Sequence, residues 1–534
     1  MCFNMIKDKI FDRKQYIDIL EKRILDLKDG YRQNIAIIGD ELVGKTSTVF
    51  KFLNKFCDNR ILILYLEVRP QPLDAFARRF IGVLLYNFLV NSNIPLKEDL
   101  DFLISKSKKF IPKTVEKINL LLNAINKRKK NNIFTDLLSL SEEIHQETGK
   151  FCVVILDEFL NLESSGFKNL YREWSKLLIT QKNTMYIIVS SLKFKTKAIL
   201  SKNLSLLFGN FEVVTIEPFD IKTSAEYLGY RLGALNLDIA LRNFIVHFTG
   251  GYPLYLEVIS DALLKQRESN LVDILESLLF DSSGILNQRF SNYIKRFFDS
   301  PYSNDYISIL YLISSASNRI KAIAQLLRKN KKELALRINH LLELGTIARS
   351  GDFLKINDRV FSFWLRFVYQ EKLHSLTFDA KNQKALFRDY IEDNIQEFFL
   401  SAQKPLMERM TELLRLFEDE TMQLETKRIR LNHFREIKSL EFNNRNLKDG
   451  LIGRSNESLW IIALKHEALT EEDIAVFAQE CKKYRHKLQR KIIVTLKDID
   501  MNTRLRALED KIWTWDINKL NQILDLYSKP WVIA

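Results

Sequence analysis

Residues 33–52 read QNIAIIGDELVGKTSTVFKF, and this stretch decides the fold. Residues 33–39 form a short apolar run that stops at glycine, the pattern of a buried strand entering a turn. From Thr46 onward, Val49, Phe52, Leu53 and Phe56 recur at helical spacing. Between the strand and the helix, GDELVGKTS (Gly39–Ser47) satisfies G-x-x-x-x-G-K-[ST] at every position. A loop that wraps a phosphate with its backbone N–H groups must bend sharply and approach closely, and Gly39 and Gly44 permit both. The helix that follows adds the positive end of its dipole. Gly39, Asp40, Glu41, Leu42, Val43, Gly44, Lys45, Thr46 and Ser47 are therefore read as a phosphate cradle. Lys45 reaches the β- and γ-phosphates, and the Thr46 hydroxyl coordinates Mg²⁺. ATP and Mg²⁺ are the expected ligands.

Such a cradle needs an acid for the metal, and FCVVILDEF (Phe151–Phe159) supplies one. Phe151–Leu156 is a continuous apolar strand, and Asp157 emerges at its C-terminal end, where open α/β sheets bind ligands. Asp157 is expected to hold Mg²⁺ through water, and Glu158 to polarise the attacking water. Thr184–Ser190 reads as a neighbouring strand. Ser190 and Ser191 at its end have two open roles: a hydrogen bond to the γ-phosphate or water, or a helix N-cap. No arginine stands out as a finger, Arg172 being one of many.

Further out, Ile61–Val68 and Phe211–Ile216 are also strand-like, and the strands alternate with helical segments. That alternation predicts an α/β fold with a parallel sheet covered by helices. A long helical stretch is expected from Pro72 to about Asn132, carrying basic patches at Lys106, Lys108, Lys109 and Lys127–Lys130. The α/β pattern stops near Pro218. The 534 residues suggest three or four domains, and 46% apolar and 28% charged residues suit a soluble protein with real cores. The net charge of +14 fits a polyanion partner or a Lys-rich proteome. Cys2, Cys57, Cys152 and Cys481 are far apart, which points away from a zinc site or disulfide framework and toward the reducing cytoplasm. No apolar run approaches the roughly 20 residues that span a bilayer, and the N-terminus lacks the features of a signal peptide.

Five segments together resemble the archaeal-type ATPases, a branch of the AAA-related STAND superclass of P-loop ATPases. They are FDRKQYIDIL (Phe11–Leu20), GDELVGKTS, VVILDEF, IEPFD (Ile216–Asp220) and GGYPLYL (Gly250–Leu256). The resemblance covers residues 8–370 and implies an entry motif with Arg13 beside the adenine. It also implies a nucleotide-sensing turn at Gly251, Tyr252 and Pro253. VSSLK (Val189–Lys193) departs from the Gly-Ser pair usual in that family, which leaves open whether Ser191 is the sensor. The implied architecture is a P-loop NTPase core (1–217), a helical lid (218–300), a winged helix (301–370), a helical linker (371–404) and a restriction-endonuclease-like α/β domain (405–534).

Residues 302–356 show three helical segments followed by two short β runs around Ser350, Gly351 and Asp352, the winged-helix pattern. The third helix carries Lys331, Lys332, Arg337 and Asn339, and the hairpin Arg349 and Lys355. These types contact phosphates and bases, but a winged helix also serves as an internal packing module, and both roles stand open. Residues 405–534 resemble the Mrr-type branch of the PD-(D/E)xK nucleases. That resemblance assigns the metal-binding aspartate to Asp449, the lysine to Lys465 and a helix acid to Glu408. Ala463 stands where the pattern has an acid, with Glu457 or Glu467 as substitutes, so a degenerate, non-cleaving domain is expected. The sequence thus predicts an ATP-binding and hydrolysing switch, DNA-associated, in regulation or defence, with oligomerisation open and no membrane partner. An ATP-regulated, Mg²⁺-dependent DNA nuclease and a non-hydrolysing scaffold are the alternatives.

Overall fold

The structure, a computed structural model, describes residues 11–91, 97–127, 132–204, 211–233, 235, 237–266, 270–374, 380–425, 427–442, 447, 449–456, 458–484 and 487–533. The chain forms two compact units. The first is residues 1–219 with Tyr252–Leu254, the second residues 220–251 with 255–534.

The first unit holds β1 (Ile35–Ile38), β2 (Ile61–Glu67), β3 (Phe151–Asp157), β4 (Thr184–Ser190) and β5 (Glu212–Thr215). They form one sheet in the order β2-β3-β4-β1-β5, every pair parallel. Its helices are α1 (Lys14–Lys28), α2 (Lys45–Lys55), α3 (Leu73–Asn91), α4 (Leu100–Ser107), α5 (Pro112–Asn126), α6 (Ile133–Thr148), α7 (Leu170–Thr180) and α8 (Lys193–Lys202). Alternation sorts the strand side chains between two faces. Leu62, Leu64, Leu66, Val154, Leu156 and Ile188 share a core with α3, α5, α6 and α7. The intervening Ile37, Val153, Ile155 and Ile187 are buried on the other face, that of α1 and α2. The long helical stretch expected after Pro72 is broken into α3, α4 and α5. Asp99 caps α4 by accepting from Phe102 N at 2.8 Å, and Pro112 opens α5, where its missing N–H costs nothing.

The second unit opens with α9 (Ile221–Leu232), α10 (Ile239–Thr249), α11 (Pro253–Lys265), α12 (Leu271–Leu279) and α13 (Ile285–Lys295). There follow α14 (Ser303–Ser314), α15 (Ile320–Leu326), α16 (Lys331–Glu343) and the antiparallel hairpin β6 (Ile347–Ser350) and β7 (Phe353–Ile356), with a further bridge from Arg319 to Phe353. Next come α17 (Arg359–Trp364), α18 (Gln370–His374), α19 (Ala380–Gln403) and α20 (Leu406–Arg415), then the hairpin β8 (Glu420–Leu424) and β9 (Lys427–Leu431). The last sheet comprises β10 (Glu436–Glu441), β11 (Asp449–Arg454), β12 (Leu459–Lys465), β13 (Leu488–Thr495) and β14 (Trp513–Trp515) in that order. The first three strands are antiparallel neighbours, and the last two join in parallel. Helices α21 (Glu471–Cys481), α22 (Met501–Glu509) and α23 (Ile517–Leu526) complete the unit.

The three-helix segment and the tail, read from sequence as separate domains, pack together in this unit. The β6–β7 turn is docked on β8: Asp352 N donates to Thr421 O at 2.8 Å, and Thr421 N donates back to Asp352 Oδ2 at 2.7 Å. Gly351 has φ 62°, and a Cβ there would collide with Thr421 O, so only glycine admits this approach. Behind the hairpin, Asp525 of α23 is buried and paired with both Lys355 and Arg359. Burial alone pushes its carboxyl up, but Lys355 and then Arg359 outweigh this and pull it down to about 2.

That depression contributes about 2 kcal/mol of stability, present above the ordinary aspartate range and lost as pH falls toward the folded value. Asp525→Asn is therefore expected to lower unfolding stability near neutral pH by about 2–4 kcal/mol, because two cations lose their partner. The gap between variant and parent closes as the medium is acidified. Denaturant unfolding across that range measures it.

Candidate nucleotide site

The parallel register places the candidate residues together. Ile38 lies beside Ser190 and Thr215, and Asp157 beside Glu67 and Val189, so the ends of the strands bring Gly39, Asp157 and Ser190 to one edge. The loop from Gly39 turns into α2 through two left-handed residues, Leu42 at φ 70° and Gly44 at φ 91°. A Cβ on Gly39 would collide with Ile216 O, which explains that glycine sterically rather than by its dihedrals. Thr48 ties the helix start by donating its hydroxyl to Gly44 O at 2.8 Å.

Lys45 is buried, and its ammonium donates to Asp40 O at 2.7 Å. Burial lowers its pKa, opposed by the charges of Glu158, Asp157 and Asp40. Asp40 itself is paired with Lys193 at 2.8 Å. Thr46 donates its hydroxyl to Asp157 Oδ2 at 2.7 Å, and Tyr65 donates to the same oxygen at 2.7 Å. Asp157 is almost wholly buried, and its Oδ1 has no hydrogen-bond partner. A buried carboxylate oxygen left without a donor, next to a threonine hydroxyl at the mouth of the Gly39–Thr46 loop, is a donor set that suits a water-bearing Mg²⁺. Thr46 and Asp157 therefore fit the ion, with the remaining positions left to water and phosphate.

Glu158 sits in left-handed backbone, φ 51°. Its two carboxylate oxygens accept from the Ser191 hydroxyl and from Ser191 N, the latter at 3.3 Å. Burial raises its pKa, and Ser191 and Lys45 work against that rise. Ser191 is thus a partner of the candidate base.

Arg13 is buried and clasps the loop from beneath. Its guanidinium donates to Val43 O at 2.9 Å and to Glu217 O at 2.8 Å, and it lies 4.6 Å from the Phe219 ring centre. These bonds join the entry motif to the loop and to the segment after β5. Glu41 and Leu42 stand half-buried in the loop, Val43 is buried, and Ser47 is exposed on α2. Pro253 opens α11 after two left-handed glycines, Gly250 at φ 61° and Gly251 at φ 76°, and Tyr252–Leu254 groups with the first unit. Sequence reasoning missed Tyr65 as the partner of Asp157. The only signal was a tyrosine near the end of an apolar strand.

The tail residues do not form the pair that the sequence suggested. Asp449 lies opposite Leu464 in the antiparallel register, so it shares a face with Leu464. Lys465 is one residue further and projects from the other face of the sheet. It is buried and paired with Asp473 of α21, which also accepts from Thr470 N at 2.9 Å and Thr470 Oγ1 at 2.7 Å. Ala463 is fully buried among Ile474, Phe477 and other core residues. Glu408 is exposed on α20, 3.7 Å from Lys404. Glu457 lies outside the described residues. No group of three or more His, Cys, Asp and Glu suited to a metal occurs among the described residues. No described helix is long and apolar enough to cross a membrane.

No protein-family profile matches the sequence, and no curated protein does. Solved structures with a similar course of chain include the Walker-type ATPase of Pyrococcus abyssi, 21% identical with a TM-score of 0.49 over 68% of this chain and 99% of that one. Another is the ORC2 protein of Aeropyrum pernix in its ADPNP–ADP complexes, 12% identical with a TM-score of 0.41 over 74% and 96% of the two chains. A third is the ORC1 protein of Aeropyrum pernix in complex with DNA, 12% identical with a TM-score of 0.37 over 67% and 93%.

Proposed function

We propose that this chain is an ATP-binding, Mg²⁺-dependent P-loop ATPase that works as a nucleotide-driven switch. The observation that carries the proposal is the bond from Thr46 to Asp157, made at the mouth of a loop whose lysine is buried and turned inward. Lys45 has a protein carbonyl for a partner, and a triphosphate offers it a charged one instead. Mg²⁺, held by Thr46 and Asp157, would neutralise phosphate charge. Glu158 accepts a proton from the attacking water once Ser191 yields it. Release of Ser191 then links the state of the nucleotide to the segment after β4. The test is Mg²⁺-dependent ATP binding by calorimetry and phosphate release by the full chain. Binding without turnover would support the scaffold reading instead.

For residues 302–356 the structure favours the packing role within the proposed winged helix. The hairpin that would serve as the wing is docked on β8, and its Lys355 is held by Asp525. Arg337 pairs with Asp305 at 3.4 Å and stacks on the Tyr302 ring. Lys331 and Lys332 remain exposed on α16. The Lys331→Ala, Lys332→Ala double variant is expected to bind a labelled DNA duplex as the parent does, with the same dependence on salt. A shallower salt slope in fluorescence anisotropy would restore DNA contact to this helix.

For the tail we propose a nuclease-like fold without cleavage. Lys465 is committed to Asp473, and the face it occupies offers Ala463 and Gly450 where a carboxylate would be needed. The full chain is expected to leave single- and double-stranded DNA intact in Mg²⁺ or Mn²⁺, with or without ATP, on denaturing gels. Metal-dependent nicking that disappears in Asp449→Ala would sink this reading. Ala463→Glu is expected to destabilise the domain rather than restore cleavage, since it forces a carboxylate into a packed core.

A further inference from the structure

Edge strand β2 projects Ile63 and Tyr65 past the helices that cover the centre of the sheet, and both stay half-buried. On α3, Arg79, Val83, Tyr86 and Val90 recur at helical spacing on a half-buried flank, where Val83 and Tyr86 pack against the margin of the main core that Phe76, Phe80 and Phe88 enter. Between this flank, β2 and the outer side of α2 lies a cavity of about 610 Å³. Its walls include Phe50, Leu53, Ile63, Tyr65, Val83 and Tyr86. That volume falls within the range of small-molecule sites, and the lining is mostly apolar, as such sites require.

The charges at its two ends differ. At the end of β2, the Arg79 guanidinium donates one N–H to Glu67 O at 2.9 Å, its one side-chain hydrogen bond among the described residues. Glu67 directs its carboxylate to Arg69 at 2.7 Å. At the start of β2, Asp58 is neutralised by Lys28 at 2.6 Å, and Glu98 stands exposed at the rim. A guanidinium has four further donors in a planar fork that matches a carboxylate. We infer that this cavity binds a small amphipathic carboxylate, its head group on Arg79 and its apolar body along Ile63, Leu53 and Val83.

The cavity also touches the nucleotide site through one side chain. The Tyr65 ring forms its wall and packs on Phe50 of α2 at 4.7 Å between ring centres. The Tyr65 hydroxyl holds the Asp157 oxygen that accepts from Thr46. A ligand that displaces or fixes Tyr65 changes the donor set of Asp157, so binding at the two sites is coupled and the coupling is reciprocal.

Sodium decanoate, below its micellar concentration, is the probe, titrated by calorimetry into the full chain without nucleotide. One molecule per chain is expected to bind saturably. Gly82→Leu fills the cavity: Gly82 lines it on α3, and a Cβ there meets nothing within 4 Å. Leucine is the better helix former, so the fold is retained, as a thermal melt checks. Decanoate affinity is expected to drop at least about tenfold in Gly82→Leu and in Arg79→Gln. Absence of saturable binding to the parent, or equal binding by Gly82→Leu, overturns the site. In a second arm, decanoate is expected to shift the affinity for a non-hydrolysable ATP analogue several-fold in the parent and not in Tyr65→Phe. An unshifted affinity in the parent overturns the coupling. Because the first arm uses no nucleotide, failure of ATP binding would leave the cavity result standing on its own.

Discussion

Lys45→Ala is expected to remove measurable ATP binding, a loss of at least about 100-fold in affinity. A charge-assisted hydrogen bond to a phosphate is worth about 1.5–3 kcal/mol, and about 2.7 kcal/mol corresponds to 100-fold. The geometry supports the upper end of that range. Lys45 is buried, so its charge acts on a bound phosphate with little screening by water. Its present partner is the uncharged carbonyl of Asp40, which it can exchange for a phosphate oxygen. Its pKa is lowered by burial, and an anionic ligand reverses that penalty. Calorimetry with Mg²⁺ and ATP reads the affinity, and a melting curve confirms that the variant is folded. ATP bound by Lys45→Ala as tightly as by the parent would remove the loop from the nucleotide site. The variant is a stricter test than removal of Mg²⁺, because chelation also affects ATP itself.

The legible part of the sequence is the part whose chemistry is local. Gly39–Thr46 must bend, approach a backbone and place one cation, and each demand selects a residue type at a fixed offset. The strands β1, β3 and β4 were legible because each is a short apolar run buried on both faces, as central parallel strands are, and the edge strands β2 and β5 because apolar residues still dominate them. What was not legible depends on contacts distant in sequence. Tyr65 meets Asp157 across 92 residues, and nothing near Tyr65 announces it. The breaks between α3, α4 and α5 are the exception: the sequence marks them locally, with the largely polar stretch 92–99 and its Pro95 before α4 and with Pro112 at the start of α5. The hairpin role of residues 347–356 was visible, but its docking on β8 was not: the Gly351 turn that suits a free wing also admits close approach to Thr421. In the tail, a one-residue difference in register decides which face a side chain takes. Lys465 and Asp449 therefore looked like partners in sequence while projecting from opposite faces.

Glu158→Gln is expected to bind ATP as the parent does and hydrolyse it about 10²–10⁴-fold more slowly, the usual contribution of a positioned general base. The substitution is isosteric, so the backbone at φ 51° and the packing around the side chain are retained. The amide oxygen can still accept from the Ser191 hydroxyl. What it loses is the capacity to take a proton from water. The environment of Glu158 adds a second signature. Burial raises its pKa, with Ser191 and Lys45 only partly offsetting the rise. A base must be ionised to act, so the parent's turnover should fall on the acid side at a pH above the ordinary glutamate range. Binding should persist through that fall, because on the acid side Lys45 keeps its proton whether or not Glu158 is ionised, and the Thr46 hydroxyl does not titrate. The residual turnover of Glu158→Gln should lack this acid limb. Ser191→Ala separates the partner from the base: it removes one donor to the carboxylate and is expected to move the acid limb further up. Stopped-flow phosphate release across pH, alongside binding measured at each pH, distinguishes these outcomes. An unchanged rate in Glu158→Gln would show that another group activates the water and that the bond from Ser191 is merely structural.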